Sequence, residues 1–115
     1  MTTKTGRLIA EAFRDGKLLG IKHTVTHAVG SPIGGGYGHV WLYGRVIAYY
    51  DREGVVWMSL SRHPTRTTRD RLNAILEAFG SPNRFWQHDW LQYYGDDRGP
   101  YYGRNASAVE IGSTE

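Results

Sequence analysis

Between residues 67 and 79 the apolar positions fall at Leu72, Ile75, Leu76 and Phe79. Those intervals place four side chains on one stripe of a helix. Thr67 is positioned to cap it, with Asp70 three residues on as a capping-box partner. Gly80 and then Pro82 supply the stop. The pattern predicts an amphipathic helix over residues 67–79.

Elsewhere the apolar runs are shorter and are broken by polar turns. The stretch "GRLIAEAFRDGKLLGI" from Gly6 echoes "GRVIAYYDREGVVWMS" from Gly44, with Gly, Arg, Ile, Ala, Arg and Gly coinciding at a constant offset. In each copy an "RDG" or "REG" turn separates two apolar runs, which reads as a β-hairpin. Hairpins are therefore expected over residues 6–22 and 44–60, turning at Asp15-Gly16 and Glu53-Gly54. The first runs on into "KHTVTHAV", whose Thr and Val content favours a strand. The helix-compatible composition of "RLIAEAF" is the weak point of the first hairpin.

"GSPIGGGYGH" breaks the chain between the two copies. After the helix, "RFWQHDWLQYY" reads as one further strand. The predicted fold class is α+β: an antiparallel sheet of about five strands, made of two hairpins plus one strand, with one packed helix. The expected organisation is a single domain over residues 1–103 and a flexible tail over residues 104–115.

The chain has 115 residues, a formal net charge of +3 and no cysteine. It is long enough for one domain with a modest core. The basic balance favours anionic partners. Disulfides, thiolate nucleophiles and Cys-based zinc sites are excluded. No apolar run approaches a membrane span, and the N-terminus carries no signal-peptide stretch. The expected location is the cytoplasm, with no membrane partner.

Charge also sharpens one local question. The helix opens among Arg62, Arg66, Arg69 and Arg71, where the positive end of the helix dipole disfavours cations. Arg66, Arg69 and Asn73 can converge with the free first-turn amides into a phosphate site. The bland alternative is a solvated basic face. Arg71 is expected to serve structure, since Asp70 and Glu77 both compete for it. On dipole grounds alone, an acid in place of Arg69 should stabilise the free helix.

The chain holds four Trp, eight Tyr and three Phe. Phe85, Trp86, Trp90, Tyr93, Tyr94, Tyr101 and Tyr102 lie close together, interleaved with Arg84, Gln87, His88, Arg98 and Arg104. Rings stack bases, while guanidiniums and amides make phosphate and edge contacts. The competing use is core and subunit interface. The candidate ligand-binding set is Arg62, Arg66, Arg69, Asn73, Phe85, Trp86, Trp90, Arg98 and Arg104.

Nothing comparable supports catalysis or a resident cofactor. His23 and His27 share the expected strand face but are too far apart to chelate one ion readily. His88 and Asp89 are strand neighbours and point apart. No nucleophile elbow, Walker loop or close carboxylate pair is present.

The segments "WLYGRVIAYYDREG", "TRTTRDRLNAILEAFG" and "FWQHDWLQYYG" resemble a set of small accessory proteins of tailed phages. These share a Tyr-Gly-x-x-Ile-Ala hairpin, a Thr-rich, Arg-containing turn into an Arg-Leu-Asn helix, and a Gln-x-Asp-aromatic strand. The likeness covers residues 41–95. The chain also resembles, in style alone, the anti-Thoeris sponges that bind cyclic ADP-ribose-type signals. That likeness implies a use for arginines beside aromatics and assigns no residue a role.

The expected function is binding without chemistry: a phage anti-defence protein sequestering a phosphorylated, cyclic nucleotide signal in the host cell. The alternative is an anti-CRISPR-type inhibitor of a host defence effector, or a nucleic-acid-binding protein. A small aromatic-rich sheet has an edge or face to cover, so a homodimer or higher oligomer is expected.

Overall fold

The computed structural model describes residues 2–29, 37–50, 55–61, 65–88, 91–95, 101–102 and 109–110. The α+β class stands, with two helices where one was expected. Helix α1 (Lys4–Arg14) leads into strands β1 (Leu19–Ile21), β2 (Thr24–Val29), β3 (Tyr37–Leu42), β4 (Arg45–Tyr50) and β5 (Val56–Met58). Helix α2 (Arg66–Ala78) follows, then β6 (Arg84–His88), β7 (Leu91–Gly95), β8 (Tyr101–Tyr102) and β9 (Val109–Glu110).

Helix α1 overturns the hairpin expected over residues 6–22. Thr3 caps it, accepting a 3.0 Å bond from the Gly6 N–H. Gly6, Ile9, Ala10 and Phe13 are buried at helical spacing. Gly16 takes a φ of 74°, and the Lys17 N–H reaches back to the Ala12 carbonyl at 2.8 Å. The Asp-Gly pair is thus a helix stop. A left-handed glycine serves a helix C-terminus and a hairpin turn equally well, so the "RDG" signal could not separate them.

The true first hairpin lies just downstream and turns at Lys22-His23, between paired Ile21 and Thr24. A matching turn at Tyr43-Gly44 joins β3 to β4. All four turn residues have positive φ, as a type I′ turn requires. The two turns meet: the Tyr43 N–H donates to the His23 carbonyl at 2.9 Å, and the rings stack at 4.7 Å. His23 is therefore a turn residue and does not share a strand face with His27. The second expected hairpin forms as β4 against β5, with Tyr50 opposite Val56. Its turn at Glu53-Gly54 lies outside the described residues.

One antiparallel sheet runs in the order β1-β2-β3-β4-β5-β9, and a smaller one in the order β6-β7-β8. "RFWQHDWLQYY" is thus two paired strands, with Gln87 opposite Gln92, where one strand was expected. Of the tail expected over residues 104–115, Val109 and Glu110 pair with β5; the rest lies outside the described residues.

Helix α2 carries the predicted stripe: Leu72, Ile75 and Leu76 are fully buried, and Phe79 nearly so. Its cap is Thr65, which accepts from the Thr68 N–H at 3.2 Å, so the capping box at Thr67 and Asp70 is corrected. Gly80 ends the helix with a φ of 73°, and the Ser81 N–H bonds the Leu76 carbonyl at 2.9 Å. The core lies where both helices close on one face of the large sheet. Phe13 packs on Tyr50 and Phe79 at 4.9 and 6.0 Å. Among the described residues, no helix is long and apolar enough to cross a membrane.

Candidate functional site

The N-terminal segments of the two helices meet side by side. Gly6 makes the close approach possible, because an added Cβ would sit 2.6 Å from Asp70 Oδ2 and 3.3 Å from Ala74 Cβ. Asp70 faces α1, accepting from the Thr3 N–H and hydroxyl at 2.7 Å each. Arg71 is buried beside it, ion-paired to Asp70 and bonded through Nε to Thr24 Oγ1 at 3.1 Å. One guanidinium thus ties α2 to α1 and β2. This is the structural role expected of Arg71. Glu77, the other expected competitor, instead accepts from the Thr2 hydroxyl at 2.9 Å and lies 4.0 Å from Arg84.

The outer side of this junction is an open groove of about 790 Å³. Thr2, Thr3 and Lys22 line one wall. Arg66, Arg69 and Asn73 of α2 line the floor, and Phe85, Trp86 and Gln87 of β6 the other wall. Five residues of the candidate set, Arg66, Arg69, Asn73, Phe85 and Trp86, line this groove. Arg62, Trp90, Arg98 and Arg104 lie outside the described residues.

The side chains in the groove have different work. Asn73 donates Nδ2–H to the Phe85 carbonyl at 2.9 Å and accepts from the Phe85 N–H at 2.7 Å. Both ends of its amide fasten β6 to α2. Phe85 is buried against Tyr94 at 4.7 Å, so its ring belongs to the core. Trp86 is half-buried, with one face on Tyr93 at 5.5 Å. Among the described rings of the candidate set, it is the one left partly exposed in the groove lining.

Arg66 is exposed in the first turn of α2. Arg69, one turn on, donates Nη1–H to Gln87 Oε1 and to Gln92 Oε1 at 3.0 Å each. Gln92, itself buried, donates Nε2–H to Gln87 Oε1 at 2.9 Å. Burial, and then the neighbouring Arg66 guanidinium, lower the pKa of Arg69 from its ordinary value. Two cations therefore lie close together at the positive end of a helix, where an anion would offset their mutual repulsion.

The sequence missed the glutamine pair and the contribution of Thr2 and Thr3. The signal for the glutamines was the hairpin register, which sets Gln87 opposite Gln92 once "RFWQHDWLQYY" is folded at its middle. Among the described residues, no three His, Asp or Glu side chains cluster to hold a metal ion.

A family model described as Kyanoviridae Gp96 protein matches residues 3–108. No curated protein and no solved structure matches the chain.

Proposed function

The chain belongs to the Kyanoviridae Gp96 family of phage proteins, and we propose that it binds a phosphorylated nucleotide in the groove between α1, α2 and β6 and holds it without reacting it. In an infected cell such binding would sequester a host immune signal. The observation that carries this reading is the placement of Arg66 and Arg69 on the first turns of α2, in a groove of about 790 Å³ that Trp86 also lines. That volume suits a nucleotide-sized ligand. Cations and an indole lining one groove match a phosphate and a base.

A thermal-shift screen against cyclic nucleotides, ADP-ribose isomers, nucleoside monophosphates and short oligonucleotides tests the reading. A mononucleotide or cyclic dinucleotide should raise the melting temperature, and Arg66→Glu should remove the rise. Stabilisation by oligonucleotides alone, with a steep salt dependence, would instead favour the nucleic-acid-binding alternative.

A further inference from the structure

Along β2 and β3 the side chains alternate between the two faces of the large sheet. Thr24 and Thr26 are buried on the side of the helices, opposite Leu42 and Val40. On the other face Val25, His27 and Trp41 are exposed and His39 is half-buried. His27 and His39 are direct partners in the register. Direct partners in an antiparallel pair hold their Cβ atoms about 4.5–5.5 Å apart on one face. Two imidazoles rooted that close can reach one ion together, since each needs only a ring nitrogen at about 2.0–2.1 Å from it. The partner that His23 could not be for His27 is thus supplied by the next strand.

The surroundings of the pair decide which ion suits it. The His39 ring lies 6.0 Å from Tyr49 and 6.5 Å from Trp41, so aromatic rings flank it. The described residues of β1 to β5 include no carboxylate. Calcium and magnesium are held largely through carboxylates, whereas imidazole suits zinc, nickel and copper.

We propose that His27 and His39 form a two-imidazole site for a divalent transition-metal ion such as zinc, on the face of the large sheet turned away from both helices. The pair fills two positions of a four-coordinate ion and leaves the others to water, so the site is open rather than closed. It lies apart from the groove and does not depend on what the groove binds. An ion held there ties β2 to β3. It stabilises the folded chain, because the unfolded chain does not keep the two rings together.

The test is calorimetric titration of the untagged full chain with zinc chloride at neutral pH, with melting curves alongside. Zinc should bind and raise the melting temperature in step with its concentration, and magnesium should do neither. His27→Ala and His39→Gln should each weaken zinc binding by about tenfold or more, since even partners that only orient a ligand are worth about 10- to 100-fold. His23→Asn should leave it unchanged. Proton NMR of the wild-type chain gives a readout that needs no variant to fold: substoichiometric copper should broaden the ring protons of His27 and His39 and leave those of His23 sharp. A wild-type chain that binds no zinc overturns the proposal. So does a zinc affinity that survives both His27→Ala and His39→Gln, or copper broadening that spares either ring of the pair.

Discussion

Asn73 holds the Phe85 peptide from both sides, donating to its carbonyl at 2.9 Å and accepting from its N–H at 2.7 Å. β6 is an edge strand of the small sheet, and this clasp satisfies backbone groups that have no neighbouring strand. Replacing Asn73 by Ala leaves a donor and an acceptor beside a buried ring. The expected loss is about 1–3 kcal/mol, read as a lower denaturation midpoint with an unchanged slope. Asn73→Asp removes only the donor and adds a charge facing the Phe85 carbonyl, so it should cost at least as much. A midpoint unmoved in both variants would show that the clasp contributes nothing.

Gly6 permits the approach of α1 to α2. In an ordinary helix interior, Gly→Ala stabilises by roughly 0.5–1 kcal/mol. At Gly6 the new Cβ would fall 2.6 Å from Asp70 Oδ2. That oxygen cannot move cheaply, because it accepts from the Thr3 hydroxyl and pairs with Arg71. Gly6→Ala should therefore lower the melting temperature, against its helix propensity. A rise would mean that the two helices separate without cost.

The outer face of the large sheet is the surface on which the expected oligomer would form. Val25, Trp41, Val46 and Tyr49 are exposed there, and they pair across β2, β3 and β4 as Val25 opposite Trp41, Trp41 opposite Val46 and His39 opposite Tyr49. Tyr49 stacks on Trp57 at 6.4 Å. The described residues of β1 to β5 include no carboxylate, so a second copy meets no like negative charge across the face. Contiguous apolar surface of this kind marks interaction sites. Sedimentation should show a dimer for the wild-type chain and a monomer of unchanged melting temperature for Trp41→Asp. A monomeric wild-type chain would remove the oligomer from the picture.

How much of this was legible in the sequence depended on whether a signal had one physical meaning. Leu72, Ile75, Leu76 and Phe79 recur at a spacing that only a helix brings onto one face, and α2 is where the sequence put it. Asp15-Gly16 has two meanings, since a left-handed glycine ends a helix and turns a hairpin alike, and α1 was misread through it. Thr65 and Thr67 are equivalent caps on local grounds. Thr65 takes the role, and Asp70 is drawn away from the helix terminus to Thr3, a partner 67 residues distant. No local pattern carries that information. The candidate site was legible as a grouping of arginines with aromatics. The division of labour inside it was not, because Asn73 and Phe85 are committed to each other across a tertiary contact.

Tertiary contact likewise separates Arg66 from Arg69. The helix dipole alone makes an acid at either position stabilising by about 0.3–1 kcal/mol. For Arg66, exposed in the first turn, that argument stands. Arg66→Glu should hold or slightly raise the melting temperature while binding of a nucleoside monophosphate falls by about tenfold or more. For Arg69 the packing reverses the sign. Its Nη1 serves Gln87 Oε1 and the buried Gln92 Oε1, and a glutamate there would face two amide oxygens with no proton to offer. Gln87 Oε1 keeps its bond from Gln92 Nε2, but taking the Arg69 donor from the buried Gln92 oxygen costs about 1–3 kcal/mol, more than the dipole returns. Arg69→Glu should therefore lower both the melting temperature and binding. Melting curves of the two variants, recorded at one pH and low salt, decide the matter. Equal stabilisation by both would show that the Arg69–glutamine network carries no weight and that the arginines form only a solvated basic face.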